Sequence, residues 1–365
     1  MRQGDPIPAG GCPDGAVSPD PVSGRASVSR RSCLACLGAF LLLPTSALAE
    51  VAVAGEVRDR VGSADMVDRF PWLAPWIAED GWDRKWLSDL LSGLEPYPQV
   101  LKMMDRQAEA LPYYKYRPIF LDKARIAGGR ERFRRHRELL ARIEARFGVP
   151  PEVVVAIWGV ESNYGALAGK HPVLRSLFTL ASQYPRRAVF FQGQLREFLL
   201  LCREEGWDPL RLTGSYAGAM GQVQMIPGTM RQYAVDFDGD GVRDVFSQLE
   251  DVLASAANYL FRFGWERGAP LVAAVAVPLP AGVSISPSLK EMRPWREWRE
   301  AGLRLVTGVA EPPSEAAAAL ITLEVESGPA YYLVFNNFRV ITRWNLSSRY
   351  AMVVHELALA IRESG

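Results

Sequence analysis

From residue 66 the chain reads as a series of short helical patterns punctuated by Pro and Gly. Residues 66–120 are helical in spacing and rich in Trp, Tyr and Pro. From Glu131 to Phe147 the pattern is longer, with His136, Leu140, Ile143 and Phe147 on one face. Gly148 stops it, and Pro150-Pro151 opens the next element. Pro151–Val160 is apolar all round after its first turn, which predicts a helix buried on every side. Further helices are predicted over about 187–205, over 251–263 with Gly264 as the stop, and over 347–362. Between the last two the pattern changes. Residues 271–287 are Val, Ala, Pro and Ser in extended style. Ile321–Val325 and Tyr331–Phe335 flank Glu326-Ser327-Gly328-Pro329 as a hairpin would. The expected fold is mainly α with a small strand-rich insertion, not a βαβ enzyme, and no repeat period is visible.

The first fifty residues follow no such pattern. Pro, Gly and Ser dominate residues 1–29, followed by Arg30-Arg31, an apolar run from Cys33 to Leu43, and Thr45-Ser46-Ala47-Leu48-Ala49. This is the layout of a secretory signal, with cleavage after Ala49. The apolar run is well short of the ~20 residues a spanning helix needs. Ser29-Arg30-Arg31-Ser32-Cys33-Leu34 also resembles a twin-arginine export signal. Of the four cysteines, Cys12, Cys33 and Cys36 precede the proposed cut and only Cys202 follows it. The mature chain therefore has no internal disulfide and depends on its core for stability. The expectation is a periplasmic protein, soluble after cleavage near Ala49, with no transmembrane segment in the mature chain.

Composition narrows the function. Apolar residues make up 48% and charged residues 23%, which excludes a disordered or collagen-like chain. With 42 Lys and Arg against 41 Asp and Glu there is no basic excess of the kind nucleic-acid binding uses. Ten Trp and twelve Tyr supply flat rings that either fill a core or line a groove.

Chemistry begins at the end of the buried helix. Glu161 follows Val160 and precedes Ser162-Asn163-Tyr164-Gly165. Burial raises the pKa of a carboxyl, and the negative end of a helix dipole raises it further. Both effects keep the proton on near neutral pH, as a general acid requires. The same residue could instead be a structural Glu bonded to backbone N–H groups.

Glu161-Ser162-Asn163-Tyr164-Gly165 resembles the E-S-x-Y-G motif of lytic murein transglycosylases. Other blocks follow in order: Val149-Pro150-Pro151-Glu152, Tyr184-Pro185-Arg186-Arg187, Gly214 to Gln224, Tyr233 to Gly241, and Ile341-Thr342-Arg343-Trp344-Asn345. Together they are similar to the lytic transglycosylase B family, glycoside hydrolase family 103, from about residue 66 to the C-terminus. The resemblance implies a lysozyme-like helical catalytic core. It implies cleavage of the β-1,4 bond between N-acetylmuramic acid and N-acetylglucosamine in peptidoglycan, leaving a 1,6-anhydro sugar. On this basis Glu161 is the expected acid/base. Tyr116, Ser215, Gln224, Asn345 and Tyr350 are expected to line the cleft, with Arg186 and Arg187 near the stem peptide. The divisions expected are a leader at 1–49, an N-terminal helical region at 50–130, the catalytic core at 131–270, the insertion at 271–335 and a cleft-completing segment at 336–365. Peptidoglycan strands are the expected partner, and cell-wall synthases are candidate protein partners. No cofactor is expected for catalysis.

Two further motifs bear on the reading. Gly214-Ser215-Tyr216-Ala217-Gly218 is not the G-x-S-x-G elbow of serine hydrolases, because the Ser stands one place early. Asp236, Asp238, Asp240 and Gly241, with the Val242 carbonyl at position seven, fit the start of an EF-hand Ca²⁺ loop. Position twelve is Ser247, so Asp251 or Glu250 would have to close the site. A structural Ca²⁺ is expected there; the alternative is an acidic turn with no ion. His136, His171 and His355 are scattered, and no zinc pattern joins them.

Overall fold

The computed structural model describes residues 65–106 and 111–363. The leader, the twin arginines and the cut after Ala49 lie outside the described residues. Short helices run from Met66 to Tyr116, and two more follow at Lys123–Arg135 and Arg137–Phe147. The single helix expected over 131–147 is therefore two. His136 sits between them with φ −105° and ψ 23°, and residue 130 falls inside the first of the pair rather than at an element boundary. Leu140, Ile143 and Phe147 are buried as their spacing predicts.

Pro151–Ser162 is the central helix, and from Val153 to Ser162 every residue is buried. The C-terminal helix Ser348–Arg362 packs against it and against Lys123–Arg135, while Leu249–Arg262 packs on another side. Val173–Gln183 and Ala188–Glu205 pair beside this group. A bulky ring locks the centre. Tyr164 projects between Gly159 and Gly129, where an added Cβ would stand 2.7 Å and 2.4 Å from it. That explains a glycine inside an otherwise Val-rich helix: any side chain there would displace the ring. Tyr164 also donates to the Arg125 carbonyl at 2.8 Å.

The insertion is a four-stranded antiparallel sheet in the order Val272–Val275, Gly328–Phe335, Ala317–Val325, Arg293–Pro294. The hairpin strands are longer than predicted. Val325 pairs with Gly328, so the turn is only Glu326-Ser327 and Gly328 takes φ 112°. Both faces are covered. Ala319, Ile321, Leu323 and Val334 join the main core. Ala318, Leu320, Leu333 and Phe335 form a second core with Trp295 and Trp298. A helix that the sequence pattern did not single out, Asn336–Trp344, follows the last strand directly. Cys202 is buried and unpaired. Among the described residues no helix is long and apolar enough to cross a membrane.

Candidate active site

Glu161 stands in the last turn of the central helix and is only 6% exposed. The chain then leaves the helix abruptly, with Asn163 and Tyr164 at φ 50° and 61°. Two non-glycine residues in the left-handed region cost energy, and they persist because the neighbours fix them. Asn163 and Tyr164 N–H groups bond the Gly159 and Trp158 carbonyls. Ser162 Oγ donates to the Gln222 carbonyl at 2.5 Å and accepts from Gly165 N–H at 2.8 Å.

The carboxyl of Glu161 is held by aromatic donors. Tyr350 Oη donates to Glu161 Oε1 at 2.5 Å, and the Trp344 side chain gives a second hydrogen bond. Burial pushes the Glu161 pKa up from 4.5 to about 8; these two bonds pull against that rise without cancelling it. No charged side chain figures among the influences on it. Tyr350 is itself fully buried, and its phenol is held far above the usual range by burial and by the Glu161 charge. The Tyr116 phenol is raised by burial and then by the same charge, so its hydroxyl feels the carboxyl.

Tyr116 is positioned from the C-terminal helix. Tyr113 Oη donates to Glu356 Oε1 at 2.8 Å, and Arg117 pairs with the same carboxylate. One glutamate thus clamps the whole Tyr113–Tyr116 turn.

The Gly-rich run is a compact loop. Gly214 bridges to His171 and Met220, and Met220 to Met225. Ser215 N–H donates to the Ala219 carbonyl at 2.7 Å, while Ser215 Oγ accepts from Ala219 N–H at 2.9 Å. Gln224, at φ 50°, donates through Nε2 to the Ala168 and Gly221 carbonyls. Gly169 lies so close to this loop that a Cβ on it would stand 2.2 Å from Gly214. The joint to the catalytic helix is Gln222, which accepts from Trp158 Nε1 at 2.9 Å and donates to the Phe246 carbonyl at 2.8 Å. Asn345, 6% exposed, follows Trp344 at the end of its helix.

The structure thus sets Tyr350 directly on Glu161, and Tyr116 within reach of its charge. Ser215 and Gln224 lie in the loop tied to the end of its helix, and Asn345 lies next to one of its donors. Arg186 and Arg187 belong to another neighbourhood, the short turn Pro185–Arg187. There Arg186 reaches Asp105 at 3.6 Å and Arg187 lies 4.0 Å from the Phe190 ring centre. Sequence reasoning missed Trp344, Gln222 and Glu356. The first two stood inside motif blocks from which other residues, Asn345 in one and Ser215 and Gln224 in the other, were taken. Glu356 carried no motif, because its partners are more than two hundred residues away in the chain.

The acidic loop is a separate centre. Carboxylate oxygens of Asp236, Asp238 and Asp251 converge within 4.8 Å of one another. Asp240 is not in that group; its Oδ1 instead accepts from Val242 N–H at 2.8 Å. Asp251 is fully buried and takes the Phe237 and Asp244 N–H groups at 2.7 and 2.8 Å. Burial pushes its pKa up, the two backbone bonds pull it down, and Asp238 and Asp236 push it up again.

One buried, protonated carboxyl at a helix end, walled by aromatic rings and a Gly-rich loop, defines a lysozyme-like enzyme that works on sugar chains. The chain belongs to the transglycosylase SLT domain family, whose model matches residues 70–359, and its activity is that of a lytic murein transglycosylase, a lyase acting on peptidoglycan. It is 34% identical over 337 residues to the membrane-bound lytic murein transglycosylase B of Escherichia coli K12, covering 89% of this chain and 88% of that one. Pseudomonas aeruginosa SltB3, solved in complex with NAG-NAM-pentapeptide, is 39% identical with a TM-score of 0.74, over 83% of this chain and 81% of that chain. The Escherichia coli lytic transglycosylase Slt35 in complex with calcium is 34% identical with a TM-score of 0.72, over 80% of this chain and 92% of that chain.

Proposed function

We propose that this enzyme breaks the β-1,4 bond between N-acetylmuramic acid and N-acetylglucosamine and leaves 1,6-anhydromuramic acid ends. The observation that carries this reading is a single carboxyl, Glu161, whose proton is retained to about pH 8 with no charged partner. Most glycosidases work with two carboxylates, one of which activates water or attacks the sugar. Here one residue serves both steps. Protonated Glu161 gives its proton to the bridging oxygen, the C1–O bond breaks, and N-acetylglucosamine leaves with its O4 hydroxyl restored. The positive charge at C1 is met by the N-acetyl group and the aromatic walls. Glu161, now a carboxylate, takes the proton of the C6 hydroxyl as that oxygen bonds C1. No water is consumed. Tyr350 and Trp344 stabilise the carboxylate between the two steps, because their bonds strengthen when charge develops on it.

Tyr116, Ser215, Gln224 and Asn345 line the sugar path, and Arg186 and Arg187 lie toward the stem peptide. The Asp236 loop fits a structural Ca²⁺. Three carboxylates converge, and Asp251 is pushed toward protonation by burial first and by the Asp238 and Asp236 charges after it, a repulsion that a divalent cation relieves. Asp236, Asp238 and Asp251 would hold it, with the Val242 carbonyl available. The ion would supply stability and no step of the reaction. The leader directs export to the periplasm, with cleavage after Ala49.

Mass spectrometry of digested cell walls tests the reaction, because the lytic product is lighter than the hydrolytic one by one water. Anhydro ends from the wild type and none from Glu161→Gln are expected. Water-added reducing ends would instead identify a muramidase. Tight wall binding with no product at all would identify a scaffold.

A further inference from the structure

We propose that Arg349 is a specificity-determining residue that takes a carboxylate carried on the lactyl arm of the muramic acid at the cleavage point. The proposal rests on the glycan-cleaving reading above. Arg349 stands in the first turn of the Ser348–Arg362 helix, immediately before Tyr350, whose hydroxyl holds Glu161. Its guanidinium lies 5.9 Å from the centre of the Tyr116 ring, whose hydroxyl feels the charge of the same carboxyl. The side chain is fixed from one end only. Nη1 donates to the Leu111 carbonyl, and among the described residues nothing accepts from the Nε and Nη2 edge. No carboxylate among them lies within ion-pair reach of Arg349, whereas Arg117 on the neighbouring turn is matched by Glu356.

The position is unfavourable on local grounds. The first turn of a helix carries partial positive charge and favours acidic residues, yet this turn has none and holds an arginine. An anion arriving there meets the positive end of the helix, whose Tyr350 N–H is already capped by Ser347 Oγ, and the open edge of the guanidinium together. A carboxylate is the planar partner that such an edge binds through two parallel hydrogen bonds. The two sugar rings of the strand are neutral. Their anionic groups sit on the lactyl arm of the muramic acid, either as the free lactyl carboxylate or as carboxylates of a stem peptide attached to it. A muramic acid with C1 at Glu161 carries that arm from the same ring, so Arg349 at the rim of the Tyr116 wall is placed to meet it.

The test compares three strands with the full-length mature enzyme: one bearing stem peptides, one peptide-free with lactyl carboxylates, and one peptide-free with the lactyl group amidated. Arg349→Gln should raise KM about tenfold on the strand that supplies the carboxylate, leave kcat within about twofold, and leave the amidated strand unchanged. Added salt should weaken the wild type, but not the variant, toward that same strand. A rise confined to the peptide-bearing strand assigns the stem peptide as source; a rise on the free-lactyl strand assigns the lactyl group. Arg349→Lys keeps the charge without the fork, and should recover only part of the loss. An equal rise on the amidated strand, or no rise on any, overturns the proposal. Dissociation constants for the same strands, measured in a Glu161→Gln background with and without Arg349→Gln, read Arg349 without turnover. A wild type that releases no anhydro ends would remove the reading of the reaction and leave those constants to decide Arg349.

Discussion

Glu161 and Asp251 are both fully or nearly buried carboxyl groups whose pKa burial pushes up, yet the protein surrounds them differently. Around Glu161 the donors are two aromatic side chains and there is no other charge, so desolvation wins and the proton stays. Around Asp251 two backbone N–H groups pull against the desolvation and two further carboxylates converge, so three acidic groups share one place although the Asp251 pKa is raised as well. Nearby Asp236 shows the limit of that arrangement: the Gly241 and Gly239 N–H groups pull its pKa below the ordinary value. The lesson is that burial alone does not assign a carboxyl its role. The donors and charges that accompany burial decide whether it keeps a proton or attracts a cation.

Exchanging the two groups for amides breaks the comparison most sharply. Glu161→Gln should lower activity by about 10²–10⁴-fold, the usual weight of a positioned acid/base, and more if both steps depend on it. The variant should still fold and bind glycan. Asp251→Asn should leave activity at low temperature within about threefold, yet melt earlier. An amide offers one acceptor oxygen where the carboxylate offers two, so the Phe237 or Asp244 N–H is left unpaired at a cost of about 1–3 kcal/mol. Turnover assays and melting curves on both variants check the crossing. Near-normal activity in Glu161→Gln would remove the central residue of the argument.

The pH dependence of stability sharpens it further. For Glu161 the folded pKa, about 8, lies above the 4.5 expected of a free carboxyl. Below pH 4.5 both states hold the proton and the group contributes nothing. Between 4.5 and 8 the unfolded chain releases a proton that the native state keeps, so native stability falls as pH rises. At about 1.4 kcal/mol per pH unit the separation corresponds to about 5 kcal/mol, an upper bound for the loss above pH 8. Glu161→Gln should therefore match the wild type near pH 4.5 and become progressively more stable than it toward pH 8. Activity should fall only as pH passes about 8, where native Glu161 loses the proton it must donate. Parallel stability curves for the two proteins would contradict the assignment of the pKa. The acidic loop should respond to calcium instead. At a hundred times Kd a ligand specific for the folded state adds about 2.7 kcal/mol, so chelation should lower Tm while low-temperature turnover persists.

The same contrast explains what was legible in the sequence. The buried helix ending in Glu161 was visible because Val153–Val160 is continuous apolar sequence, and the acidic loop because Asp236, Asp238 and Asp240 stand two apart in the chain. Asp251 was one of two options, since the choice against Glu250 depends on which face of the Leu249–Arg262 helix points inward. The break at His136 was hidden because the two helices keep one apolar phase across it. The second core under the sheet was also hidden: a hairpin alternation shows two faces but not that Trp295 and Trp298 cover one of them. Contacts joining distant segments left the least trace. The clamp of Glu356 on Tyr113 and Arg117 exists only once the C-terminal helix lies against the N-terminal turn.

The smallest effect expected is also the most specific. Tyr350→Phe removes one donor from Glu161 and leaves the ring in place. The hydrogen bond favours the carboxylate, so its loss must push the Glu161 pKa higher than it already is. Trp344 still donates, which keeps the change modest. The alkaline limb of the kcat profile should therefore move up, by about one pH unit if the bond has the strength usual for a charged acceptor. At pH 7 the first step suffers, because a carboxyl of higher pKa gives up its proton less readily and the carboxylate it forms has lost a stabilising bond. The second step is not slowed, because the less stabilised carboxylate is the stronger base for the C6 proton, so the loss of about tenfold in kcat falls on proton donation. A pH–rate profile of the variant distinguishes this from damage to the cleft. Lost activity with an unmoved limb would mean that Tyr350 serves the sugar alone, whereas a limb moved downward would reverse the sign of the electrostatics proposed for Glu161.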